Sequence, residues 1–202
     1  QLEQAKLIRI LILSLLAPAA FAQDYPALHV VTGVAADDVL NIRAAPDASA
    51  EIVGTLAPDA SGIEVVETSG NWALVNTGER SGYAALRFLK PEPGAAWNAL
   101  QTPLTCLGTE PFWALTLDPA ARTATMISSD DLNGNATRIG EVWPGTPWAP
   151  MAALSIPEGM VVLSPAACND GMSDRSFGIG IDMFLTSPET LRLSGCCSLG
   201  LP

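Results

Sequence analysis

The chain has 202 residues, 49% of them hydrophobic and 15% charged, with 17 Gly and 16 Pro. That composition excludes a chain held open by its own charge and predicts a folded core interrupted by many turns. Lys and Arg total 10 against 21 Asp and Glu, a net charge of -11; with no basic run to neutralise phosphates, nucleic acid is not an expected partner, and adsorption to anionic lipid is disfavoured.

The N-terminus carries Lys6 and Arg9, then an apolar run from Ile10 to Leu16 and the small-residue ending Ala20-Phe21-Ala22. This is the layout of a secretory signal peptide over residues 1–22, with cleavage expected between Ala22 and Gln23. The apolar run is short for a membrane span, and Pro18 interrupts it, so no permanent anchor is expected. The predicted location is the periplasm or the exterior. In an oxidising compartment Cys106, Cys168, Cys196 and Cys197 are expected to be bridged rather than reactive. Cys196 and Cys197 are adjacent, so each is expected to pair with one of Cys106 and Cys168; which goes with which stays open.

From His29 onward, short β-prone segments alternate with turn residues: HVV, VLNIR, EIVGTL, GIEVVE, NWALV and SGYAAL. Alternation in VLNIR sends Leu40 and Ile42 inward and Asn41 and Arg43 outward, and the spacing predicts a small barrel over residues 25–91. Lys90-Pro91-Glu92-Pro93-Gly94 ends the pattern and opens a linker over 92–102, in which 95–100 is long enough for one helical turn only. Beyond it, over 103–202, apolar groups recur in ALTL, TATMI, RIGEVW, AALSI, MVVL, FGIGIDMF and TLRL. About seven or eight antiparallel strands are expected there, as a closed or nearly closed barrel or as a sandwich. The fold class is all-β.

Val39-Leu40-Asn41-Ile42-Arg43-Ala44-Ala45-Pro46, Val53-Gly54-Thr55-Leu56, Trp72 and Gly82-Tyr83 occur in an order that resembles bacterial SH3 domains. The resemblance implies a small barrel of the cell envelope, some members of which bind peptidoglycan or peptides. Three further blocks, Cys106-Leu107-Gly108-Thr109-Glu110-Pro111-Phe112-Trp113, Cys168-Asn169-Asp170-Gly171-Met172-Ser173-Asp174 and Gly195-Cys196, resemble a family of exported bacterial proteins without an assigned activity. That resemblance implies a disulfide-bearing domain and no particular chemistry.

Candidate binding residues in the first half are Trp72, Tyr83, Asp37 and Asp38, although the aromatics are expected mainly to pack and the acidic pair to form a solvated turn. In the second half, Glu110 is expected at the barrel mouth beside Cys106. Asp170-Gly171 is a turn signal, Ser173 and Asp174 are placed to hydrogen-bond local amides, and Arg175 is placed to pair with Glu110 or Asp174. A polar knot tied to the disulfides is the preferred reading of this group.

His29 is the only histidine, and it is read as an ordinary surface side chain. The second half therefore lacks the base of a Cys–His or Ser–His–Asp mechanism and the ligands of a His-built zinc site. Copper on Cys168, Met172, Cys196 and Cys197 is disfavoured because oxidised sulfurs coordinate poorly, and Asp131-Leu132-Asn133-Gly134-Asn135 reads as a turn rather than a calcium loop. No cofactor is expected. Trp143, Trp148 and the prolines from Pro144 to Pro150 are expected to fold onto the barrel, with an apolar ligand site as the alternative.

The functional expectation is a non-enzymatic binding protein contacting peptidoglycan or envelope peptides through its first barrel. Alternatives are an envelope hydrolase using Glu110 with Asp170 or Asp174, and a secreted inhibitor of lysozyme suggested by architecture alone.

Overall fold

A computed structural model describes residues 25–200; the expected signal peptide lies outside them. Seven strands make the N-terminal sheet: β1 (Ala27–Val31), β2 (Leu40–Arg43), β3 (Ile52–Leu56), β4 (Ile63–Ser69), β5 (Trp72–Thr77), β6 (Arg80–Ala85) and β7 (Leu89–Pro91). Their order is β3-β2-β6-β5-β4-β1-β7. The alternation read in VLNIR holds: Leu40 and Ile42 are buried and enter a core with Val31, Val65, Ala73, Val75, Ala84 and Leu89.

His29 departs from expectation. It is 1% exposed, because it shares the inward face of β1 with the core residue Val31, and its ring is stacked on Tyr25 and hydrogen-bonded through Nδ1 to the Ala27 carbonyl at 2.9 Å. Burial holds its pKa below the usual histidine value, against the opposing influence of the Ala27 carbonyl and the Glu92 charge.

The C-terminal sheet has nine strands: β8 (Leu104–Thr109), β9 (Phe112–Asp118), β10 (Thr123–Ser128), β11 (Asn135–Arg138), β12 (Val142–Trp143), β13 (Ala152–Ile156), β14 (Gly159–Cys168), β15 (Phe177–Leu185) and β16 (Leu191–Leu199). The order β11-β10-β9-β8-β16-β15-β14-β13-β12 is antiparallel throughout and continuous. It places β11 and β12, consecutive in the chain, at opposite edges. A flat sheet of this width would hold its edges about 38 Å apart, whereas the connection between them reaches about 14 Å at most. The sheet must therefore roll. The connection ties the edges: the Ile139 amide donates to the Arg122 carbonyl, and the Gly140 amide to the Ser155 carbonyl. One rolled sheet, rather than two stacked ones, is the form adopted.

Its interior is filled by Leu104, Leu115, Leu117, Leu154, Val161, Leu163, Ile179 and Met183, each no more than 1% exposed. The residues at 92–102 also contribute: a 3-10 turn at Trp97–Ala99 buries Trp97, and Leu100 joins the same core. Two disulfides, Cys106–Cys197 and Cys168–Cys196, realise the expectation that the adjacent cysteines part company. Cys106 and Cys197 lie directly opposite each other on β8 and β16.

The first and third sequence blocks meet physically at Trp113. Its indole is 1% exposed and lies against two glycines: a Cβ on Gly108 would fall 2.5 Å from Trp113 Nε1, and one on Gly195 would fall 2.9 Å from Trp113 Cζ2 and against the Leu107 carbonyl. Gly108 and Gly195 are thus the space in which the indole sits, which accounts for the Gly and Trp of the first block and the Gly of the third. Replacing Gly195 by Ala should overpack this site and cost about 1–3 kcal/mol or more. A urea unfolding midpoint equal to wild type would contradict that packing.

Candidate functional site

The turn after β14 carries the second block, and its own side chains shape it. Asp170 is 8% exposed and accepts hydrogen bonds from the Met172 and Ser173 amides at 2.9 and 2.8 Å and from the Ser173 hydroxyl at 2.8 Å. Asn169 accepts from the Gly171 amide and donates to the Ser173 and Arg175 carbonyls. For Asp170, burial pushes the pKa up, but the Ser173 and Met172 amides, the Ser173 hydroxyl and the Arg175 charge together hold it below the usual carboxylate value. Behind the turn, Cys168 is fixed to Cys196 of β16.

The turn is braced because it docks on the other sheet. The Asp174 amide donates to the Glu79 carbonyl at 2.8 Å, and the Asp174 carbonyl accepts from the Ser81 amide at 2.9 Å. Asn76 completes the contact: its Nδ2 donates to the Ser176 carbonyl and its Oδ1 accepts from the Ser176 amide, at 2.9 and 3.0 Å. The Ser176 and Ser81 hydroxyls also meet, at 3.1 Å. Gly178 on β15 packs against Pro26 and the Val66 carbonyl, where a side chain would collide. Each such hydrogen bond contributes only about 0.5–1.5 kcal/mol net, so the joint depends on several acting together.

The Leu199 amide of β16 donates to Glu64 Oε1 of β4 at 3.1 Å. This encloses the Glu64 carboxyl between the sheets, and burial raises its pKa from 4.5 to about 7 against the opposing influence of the Leu199 amide and the Arg175 charge.

A separate groove of about 610 Å³ lies on the outer side of the N-terminal sheet, lined among others by Asp38, Asn41, Arg43, Trp72, Arg87 and Phe88. The structure thus brings Trp72 and Asp38 together and adds Arg43 and Arg87, which sequence reading had not singled out as binding residues. Arg87 lies 4.5 Å from the Phe88 ring centroid, and Arg43 Nη1 donates to the Ala50 carbonyl at 2.7 Å. Asp38 also accepts from the Val39 amide, the role of a turn residue ahead of β2. Asp37 is exposed and does not line the groove, and neither does partly buried Tyr83, which lies opposite Arg43 and Leu74 on neighbouring strands.

Four expectations need correction. Glu110 occupies the tight β8–β9 turn, exposed and without a hydrogen bond from it, while Cys106 sits within β8 opposite Leu115. Arg175 forms an ion pair with neither Glu110 nor Asp174; among the described residues the ion pair present is Arg192–Asp182, at 2.9 Å. The Arg175 guanidinium instead lies 5.0 Å from the Phe177 ring centroid. Asp174 acts through its main chain, and its side chain is exposed. Trp148 does not fold onto the barrel: it is 92% exposed and Trp143 48%, since a tight turn between Thr146 and Ala149, tied at its base to Asn98, projects the loop. As for an acid–base pair, the Asp170 carboxylate is already committed to its turn.

Residues 38–90 match the bacterial SH3 domain family. Neither the curated proteins nor the solved structures contain a match to the chain.

Asp170→Ala should destabilise the protein by about 1.5–3 kcal/mol, the range for hydrogen bonds to a charged acceptor. Its contribution is present above the usual Asp range and is lost as pH falls through the lowered native value, which acid titration of wild type and variant would reveal. Glu64 acts with the opposite sign. The native state favours its protonated form, so the stability it contributes is full below 4.5 and is lost as pH rises to about 7, by no more than about 3 kcal/mol. Unfolding free energies of Glu64→Gln should lack this decline; an unchanged profile would contradict the enclosed carboxyl.

Proposed function

We propose that the chain is a binding protein of the bacterial cell envelope whose N-terminal groove takes an extended, anionic peptide such as the peptide stem of peptidoglycan. The observation that carries this reading is the groove itself, within the family match to bacterial SH3 domains. Trp72 offers an indole for stacking or apolar contact, and Arg43 and Arg87 outnumber the single lining carboxylate, Asp38. On a chain of net charge -11, such a local excess of cations selects for carboxylate-bearing ligands.

Work outside the cytoplasm fits the two disulfides and the leader expected at 1–22. Among the described residues no helix is long and apolar enough to cross a membrane. The C-terminal sheet serves as the rigid support to which the groove-bearing sheet is fixed.

In a pull-down on purified peptidoglycan, the full chain should be retained, with retention falling as salt rises. Trp72→Ala and Arg87→Ala should each weaken binding by about 5–30-fold, equivalent to about 1–2 kcal/mol at a central contact. Passage of the wild-type chain through the column without retention would overturn the proposal.

A further inference from the structure

A second cavity, of about 310 Å³, lies at the joint between the sheets and is distinct from the groove. Its lining is polar for a place where two folded units meet: Glu64 and Asn76 come from the N-terminal sheet, Thr105 and Ser198 from the C-terminal sheet, and Arg175 from the docked turn. The two charged members are near enough to influence each other, yet they form no ion pair. Arg175 Nε is buried without a hydrogen-bond partner among the described residues. Glu64 spends Oε1 on the Leu199 amide, while Oε2 has no hydrogen bond among the described residues.

An unmatched buried guanidinium donor costs about 1–3 kcal/mol or more, and packing ordinarily removes such a defect by closing the pair. Here the pair stays open. The main-chain docking of Asp174 fixes Arg175 on the turn, and the Leu199 amide fixes Glu64 on β4. The space between them is large enough for a small organic molecule, and Ile63, Leu107 and Leu199 line it beside the polar groups.

We propose that this cavity is a binding site for a small zwitterion, an amino acid or a dipeptide, whose carboxylate accepts from Arg175 and whose ammonium donates to Glu64. Thr105, Asn76 and Ser198 supply neutral polar contacts around it. Such a ligand gives Arg175 Nε the acceptor it lacks and Glu64 Oε2 a cationic donor at once, which an ion of single charge cannot do. Because its contacts come from both sheets and from the turn joining them, binding tightens the joint and raises unfolding stability by mass action.

The test is titration of the full chain at about pH 8, where carboxylates are ionised, with alanine and alanyl-alanine, and with propionate and ethylamine as single-charge controls, each up to about 10 mM. A zwitterion should bind and raise the thermal midpoint, with the controls at least about tenfold weaker. Arg175→Gln and Glu64→Gln should each reduce the affinity at least about tenfold, whereas Trp72→Ala should leave it unchanged, separating this site from the groove. In the wild-type chain, amide resonances of Leu199 and Arg175 should shift on addition of ligand while the Trp72 indole does not, which locates the site even if a variant fails to fold. Absence of binding by both zwitterions, equal binding of the controls, or shifts confined to residues away from Glu64 and Arg175 would overturn the proposal.

Discussion

The main chain of Asp174 hydrogen-bonds in both directions to the β5–β6 hairpin, and the relation between the two sheets depends on that pairing. Two separate hydrophobic cores would otherwise leave the halves joined only by the chain between them. A backbone pair of this kind forms only if the donor and acceptor on the turn are already aimed, because ordering a loose loop costs about 1–2 kcal/mol per residue. Asp170 and Asn169 carry that cost within the turn: their side chains are fully engaged with its amides and carbonyls. Behind them the Cys168–Cys196 bridge fixes the start of the turn to β16.

The joint has consequences for chemistry as well as shape. Closing two polar surfaces on each other brings Glu64 and Arg175 to one cavity, where Glu64 accepts from the Leu199 amide and Arg175 Nε has no partner among the described residues. The balance is between hydrogen bonds that fix the frame and a charge pair left incomplete inside it, which is where small ligands find affinity. The outer groove has a different origin. It lies between the β1–β2 loop, β2 and the turn into β5, on strands whose opposite side chains fill the core, so its aromatic and cationic groups are displayed without disturbing packing.

Much of the fold was legible in the residues because period-two alternation is a strong signal when one face is buried. VLNIR, ALTL and FGIGIDMF all became strands with inward-facing apolar positions. That the adjacent cysteines part company was equally readable from their adjacency, whereas which partner each takes was not. What could not be read depended on contacts between segments distant in sequence. His29 looked superficial because nothing near it announces that its face of β1, shared with Val31, will be packed. Nothing in the sequence marks the glycines at 108 and 195 as the space that admits the Trp113 indole. The polar character of the 169–176 segment was recognised, but its target was not: Asn76 and Ser81 lie about a hundred positions away and carry no local mark of partnership.

The most direct test of the docked turn is native-state hydrogen exchange at the amides of Ser81, Asp174 and Ser176. Each donates across the joint, to the Asp174 carbonyl, the Glu79 carbonyl and Asn76 Oδ1 respectively. The account predicts that all three are protected together, at a level well above that of exposed loop amides and lost in concert in Asp170→Ala. Exchange of these amides at the rate of an open loop in the wild-type chain would contradict it.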